Sequence, residues 1–182
     1  SSLLNDKVMA DLIPNVVKGY TEKELNHLTR ELYKKHGASG VSFDPITAYG
    51  HGAADPHHVT DNSKVKKGDC VILDIGGVLD DYISDMTRTV FIEEVSPRHK
   101  EIYQIVRDAN LRGIAMAKPG NRMCDVDLAC RNYIEEKGFG KYFTHRTGHS
   151  SGIEDHEVGD VSSVNEEIIE VGQCFSVEPG IY

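Results

Sequence analysis

The sequence is short of the features that mark membrane, secreted and nucleic-acid-binding proteins. No apolar run approaches the roughly 20 residues that a bilayer requires, so no membrane span is expected. Nothing at the N-terminus joins a basic segment to an apolar stretch as a secretory signal does, so the expectation is a cytoplasmic protein or one stripped of such a signal. Basic runs are missing too, and the formal net charge of −9 is opposite in sign to the field that holds phosphate, so nucleic acid is excluded as a partner. The four cysteines, Cys70, Cys124, Cys130 and Cys174, form no C-x-x-C pair. A zinc ribbon is therefore not expected, and the thiols read as reduced and mostly buried. No H-E-x-x-H helix occurs either, which sets aside zincin chemistry.

What is present is the balance of a soluble globular protein, with 39% hydrophobic and 27% charged residues in a chain of 182, enough for one good-sized core. Leu4, Val8, Leu12 and Val16 predict a first helix over about Leu3 to Val17, kinked at Pro14. A second helix follows Thr21, which forms a capping box with Glu24; Leu25, Leu28 and Leu32 supply its apolar stripe, and Gly37 sits where a helix-ending glycine belongs. Two more helices are predicted from Pro97 to Lys118 and from about Asp125 to Lys137, the latter stopped by Gly138.

The halves of the sequence repeat one another. Gly19 to Gly37 and Gly120 to Gly138 each span eighteen residues around a short amphipathic helix. Gly68-Asp69-Cys70-Val71-Ile72-Leu73-Asp74 aligns with Gly172-Gln173-Cys174-Phe175-Ser176-Val177-Glu178, at an offset of 104 where the helices give 101, so a small insertion separates the matches. The alternative is chance similarity of two helix–strand units. A true duplication makes Asp74 and Glu178 equivalent across a pseudo-twofold axis, a natural cradle for a metal.

Three segments carry the chemistry. Cys70 to Val90 reads as a hairpin of apolar β-formers around a Gly- and Asp-rich turn. A turn centred on Leu79-Asp80 sets Asp74 opposite Asp85, and like charges so placed need a shared proton, an arginine such as Arg88, or a divalent cation between them. A register different by one or two residues would instead leave both acids facing water. The second segment, His145 to Glu157, sets imidazoles among glycines, as suits ligands that approach a metal or substrate closely; taken singly, His145 or His156 reads as a solvated side chain sooner than a catalytic one. The third, Phe175 to Tyr182, ends an apolar strand on Glu178 just before Pro179-Gly180.

The order Asp74, Asp85, His149, Glu178, with eleven residues between the aspartates, resembles the ligand set of the methionyl aminopeptidase, prolidase and creatinase superfamily. The similarity runs from the entry helix through Ser42-Phe43-Asp44-Pro45-Ile46 to the terminal Glu-Pro-Gly-Ile-Tyr. Pro56-His57-His58, the run Asp85-Met86-Thr87-Arg88-Thr89 and the His145 to Glu157 segment are more similar to the prolidase and Xaa-Pro aminopeptidase branch than to the methionyl one.

The resemblance implies an α+β pita-bread fold: two pseudo-twofold-related halves, a curved antiparallel sheet and helices outside. Residues 1–182 would form a single catalytic metallopeptidase domain. It implies hydrolysis of peptide bonds to the nitrogen of proline in a dipeptide or longer peptide, through a hydroxide bridging two divalent ions, and it suggests a homodimer. Asp74 would hold one ion, Asp85 would bridge, and His149 with Glu178 would hold the second. Glu178 would also relay the proton, His57 would hydrogen-bond the scissile amide, and His156 would stabilise the oxyanion. A carboxylate-rich donor set with one imidazole and no thiolate favours manganese, cobalt or iron, with zinc as a further option.

Rival readings are a methionyl aminopeptidase, a creatinase-like C–N hydrolase, and a non-catalytic pita-bread binding module. Creatine-type enzymes dispense with the metals and binding modules typically lose ligands, so the full acidic set counts against both.

The sequence departs from the family pattern at Ser150-Ser151, where a glycine and a branched apolar residue are usual, at Asp155, and at Val158-Gly159. A fifth ligand, a glutamate on a later strand, would lie beyond Tyr182. The expectation is a truncated domain lacking its final strands and the additional N-terminal domain of many prolidase-like enzymes.

Overall fold

A computed structural model describes all 182 residues, which divide into two compact units: residues 1–96 with 152–155, and residues 97–151 with 156–182.

In the first unit, helices α1 (Ser2–Val16) and α2 (Glu22–Lys35) precede strands β1 (Gly40–Val41), β2 (Ile46–Tyr49), β3 (Cys70–Ile75), β4 (Gly77–Leu79), β5 (Tyr82–Ile83) and β6 (Met86–Phe91). Leu4, Val8, Leu12 and Val16 form the buried face of α1, and Pro14 lies within its last turn, where it removes the N–H that would pair with Ala10 O. Helix α2 opens on the predicted box: Thr21 Oγ1 accepts from Glu24 N at 3.2 Å, and Glu24 Oε2 accepts from Thr21 N at 2.8 Å. It closes at Gly37, whose φ of +92° is a left-handed position that a side chain would strain.

Strand β3 alternates as a half-buried strand should. Val71, Leu73 and Ile75 are buried against Leu12, Leu25 and Tyr33, each such side chain contributing about 1.5–3 kcal/mol. Cys70, Ile72 and Asp74 therefore occupy the other face. The antiparallel sheets run β2-β3-β6 and β1-β4-β5.

The hairpin register differs from the one expected. Asp74 faces Thr87, and Leu79 faces Tyr82, so the turn is Asp80-Asp81, with φ of +52° and +64°. A two-residue turn with the twist of the flanking strands needs positive φ at both central positions; aspartate tolerates that conformation and Leu79 would not. The correction is a shift of two residues. Asp85 sits in the break between β5 and β6, not opposite Asp74.

The second unit has α3 (Pro97–Met116), α4 (Met123–Glu136), β7 (Gly148–His149) and β8 (Asp160–Val161). It repeats the local bonding of the first. Thr21 bridges Lys64 as Arg122 bridges Ile168. Glu22 N donates to Ser63 O, and Met123 N to Glu167 O; Lys23 N donates to Asp61 O, and Cys124 N to Asn165 O. Arg122 and Asp125 form the counterpart of the Thr21–Glu24 box, which starts α4 two residues before the expected Asp125. Gly138, at φ +84°, ends α4 as Gly37 ends α2. Agreement in so many hydrogen bonds decides for duplication over chance similarity.

All four cysteines are free: Cys124 and Cys130 are buried, Cys70 is half-buried, and Cys174 is exposed, contrary to a mostly buried set. Burial pushes the Cys70 thiol up to about 11 and that of Cys130 to about 12, so both are neutral thiols at physiological pH.

Candidate metal centre

The expected ligands are divided between the units: Asp74 and Asp85 in the first, His149 and Glu178 in the second, as are His57 in the first and His156 in the second.

Asp74 lies on the half-exposed face of β3, and its Oδ1 accepts a 2.8 Å hydrogen bond from Thr87 Oγ1 across the ladder. Asp85 follows a buried polar network. Asn5 Oδ1 accepts from Tyr33 Oη at 2.6 Å and lies 2.8 Å from Ser84 Oγ, while Ser42 Oγ donates to Ser84 O at 2.9 Å. Asn5 and Ser84 are nearly inaccessible, so these bonds fix the backbone from which Asp85 projects. Burial, then the negative charges of Asp85 and Asp74, hold the Tyr33 phenol far above its usual range, and it stays a neutral donor. His57 is exposed on the loop between β2 and β3, its N–H donating to Asp55 Oδ1 at 2.9 Å.

In the second unit, His149 Nε2 is 3.3 Å from Glu178 Oε1. His149 is buried, and its Nδ1 lies 3.3 Å from Ser150 O, the geometry in which Nδ1 carries the proton. A neutral ring of that tautomer aims its Nε2 lone pair at a carboxylate, and the two repel unless a proton or a cation lies between them. Ser176 Oγ donates to Glu178 Oε1 at 2.9 Å and accepts from His149 N at 2.9 Å, tying both candidate ligands to one hydroxyl. The His156 ring lies against that of His149, centroids 4.1 Å apart.

The pairing that aligns them is tight. Ser176 N donates to His149 O at 2.9 Å and Glu178 N to Thr147 O at 2.7 Å. Gly148 is required there, because a Cβ would strike the Ser176 carbonyl. Thr147 is anchored in turn to Asp127, which is fully buried: its Oδ1 accepts from Thr147 Oγ1 at 2.7 Å, and its carboxylate takes both arms of Arg131, at 2.8 and 3.0 Å. Arg131 also donates to Phe143 O and His145 O and covers the Phe143 ring at 4.2 Å. Sequence reasoning missed Asn5, Tyr33, Asp127, Arg131 and Ser176. Only the Asp127–Arg131 spacing of four residues on a helix was a readable signal.

The departures from the family pattern continue this scaffold. Ser150 N donates to Gly159 O, Glu157 N to Ser150 O, and Ser151 N to Cys174 O.

The model of metallopeptidase family M24 matches residues 1–182. The chain belongs to this family. An uncharacterized peptidase of Staphylococcus aureus (strain MSSA476) is 39% identical over 179 residues, 98% of this chain and 51% of the relative. The crystal structure of an X-Pro aminopeptidase from Thermotoga maritima MSB8 superposes with a TM-score of 0.95 at 36% identity, covering 98% of this chain and 51% of that one. The Xaa-Pro dipeptidase from Bacillus anthracis gives 0.91 at 38%, covering 96% and 50%. This M24 chain thus has the pita-bread fold that the sequence implied, and it spans about half the length of the relatives it matches. The family uses divalent metals, and an imidazole beside a carboxylate is a donor set that fits one.

Proposed function

We propose that this M24 chain carries the metal-binding and catalytic side chains of a peptidase that hydrolyses Xaa-Pro bonds with two divalent ions, manganese being the first candidate. The observation that carries the proposal is the His149–Glu178 pair, an imidazole nitrogen and a carboxylate oxygen 3.3 Å apart with one hydroxyl bracing both. The Xaa-Pro preference draws on the solved proteins similar to this chain, an X-Pro aminopeptidase and an Xaa-Pro dipeptidase among them.

In this reading Asp74, Asp85, His149 and Glu178 hold the ions. When bound, such a pair supplies a water nucleophile at neutral pH and polarises the scissile carbonyl. The remaining tasks fall to the protein. His57, exposed on its loop, donates to the substrate amide. His156 donates to the oxyanion, a contribution of about 3 kcal/mol for one donor. Glu178 takes the proton from the attacking water and delivers it to the proline nitrogen, which cannot leave unprotonated.

The test is a cleavage assay of the intact protein on Xaa-Pro dipeptides, longer peptides with proline second, and Met-Ala peptides, with and without manganese. Metal-dependent cleavage before proline is expected, with His57→Ala and His156→Ala each lowering turnover on the order of 100-fold while keeping metal. Cleavage of Met-Ala alone would contradict the proline assignment, and wild-type turnover in either variant would remove that histidine's role.

A further inference from the structure

The loop between β2 and β3 carries His57, and it is fastened at three points to one carboxylate. Glu22, the first residue of α2, is 1% exposed. Its Oε1 accepts from Tyr49 N at 2.9 Å, where the loop leaves β2. Its Oε2 accepts from Asp61 N at 2.8 Å, where the loop returns, and from His58 Nε2 at 2.8 Å, next to His57 itself. The His58 ring also packs on the turn at Gly50–Ala54: a Cβ on Gly52 would lie 2.9 Å from His58 Cε1, so only glycine lets the ring approach.

A buried carboxylate is costly unless all its neighbours are donors, and apolar replacements of buried charges are often at least as stable. The duplication supplies that comparison within the molecule. Met123 occupies in α4 the place of Glu22 in α2, with the same backbone bond to the following loop, Met123 N to Glu167 O where Glu22 N reaches Ser63 O. The helix start therefore does not need an acid. The corresponding loop of the second repeat, after Ser150, carries His156 without such an acid; what the first repeat has in addition is the buried carboxylate itself, whose charge-assisted bonds to the two ends and the middle of the His57 loop are the means of holding that loop in one conformation.

We infer that Glu22 and His58 are a positioning pair for His57, setting the imidazole that the proposed peptidase mechanism points at the substrate amide. The inference rests on that mechanism for its catalytic half; the pinning of the loop stands by itself.

The experiment uses the intact protein and three variants, His58→Phe, His58→Gln and His58→Phe combined with His57→Ala. His58→Phe keeps an aromatic ring but cannot donate to Glu22, while His58→Gln keeps a donor. On an Xaa-Pro peptide, His58→Phe is expected to lower kcat on the order of tenfold with little change in KM or bound metal, since a misplaced group loses mainly turnover. His58→Gln should recover much of the loss. In the His57→Ala background His58→Phe should add nothing, whereas a merely structural role would give additive losses. Amide exchange over residues 50–61 should accelerate in His58→Phe while that of α2 stays slow. Wild-type kcat in His58→Phe, or additive losses with His57→Ala, overturns the positioning role. A wild-type protein inactive on all Xaa-Pro substrates removes the peptidase reading instead; exchange then decides the pinning, faster exchange supporting it and unchanged exchange overturning it.

Discussion

The two units share a scaffold and differ in how each braces its acid. In the first, Asp74 stands on the six-residue strand β3, paired on both sides by β2 and β6, and its brace is Thr87 directly across the ladder. In the second, the equivalent Glu178 pairs with the His149 segment through Glu178 N to Thr147 O, and its bracing comes from Ser176 and, through Thr147, from the buried Asp127 and its partner Arg131. The counterparts of that pair in α2 are Asn26 and Arg30. They also bond to each other, but Arg30 turns outward to an exposed ion pair with Asp44. The same two helix positions are thus used differently: a neutral asparagine with an outward-turned arginine in α2, a fully buried carboxylate held by a half-buried arginine in α4.

The comparison can be broken by mutation, starting with the largest effect. Asp127→Ala leaves Arg131 and Thr147 without their acceptor in a buried place and should cost about 3 kcal/mol or more, whereas Asn26→Ala should cost only about 1 kcal/mol. Chemical denaturation of both variants measures the difference, and equal losses would mean that the buried carboxylate braces its unit no more than the asparagine does. Next is Gly148→Ala, which drives a methyl into the Ser176 carbonyl and should cost about 2 kcal/mol while separating His149 from Glu178. Thermal melts and metal titration should both respond; a normal melt with normal metal affinity would show that the segment yields freely.

Smaller still is the pair of capping boxes. Thr21→Ala should lower stability by about 1 kcal/mol. Hydrogen bonds from Thr21 hold the Glu24 carboxyl below its ordinary value of 4.5, and the Arg122 guanidinium does the same for Asp125. A depressed carboxyl contributes stability above its unfolded value and loses it as pH falls through the lowered one. Stability should therefore decline in acid below about pH 4.5, and Thr21→Ala should flatten that decline, as denaturation at a series of pH values would register. An unchanged acid limb would remove the box from the account.

Much of this was legible in the sequence because it is local. Helix stripes, the Thr21–Glu24 box, the stop glycines and the repeat all follow from spacing, and the structure bears them out. The hairpin turn was misplaced by hydrophobic pattern alone: both registers put the same residues on the same face, and only the cost of positive φ at Leu79 distinguishes them. The braces were least visible. Asn5 to Ser84 and Asp127 to Thr147 join residues far apart in the chain, and an asparagine on an apolar helix face carries no mark of its partner. The ligand order was recognisable only as a family pattern, since no single spacing in it dictates a metal.

Central to the account is the proposal that Asp74, Asp85, His149 and Glu178 are metal ligands. Metal content per chain, measured by mass spectrometry on the intact protein, on Asp85→Ala and on His149→Ala after loading with manganese and exhaustive dialysis, addresses this most directly. Two ions are predicted for the wild type and a loss in each variant; full retention of metal by either one would contradict the claim.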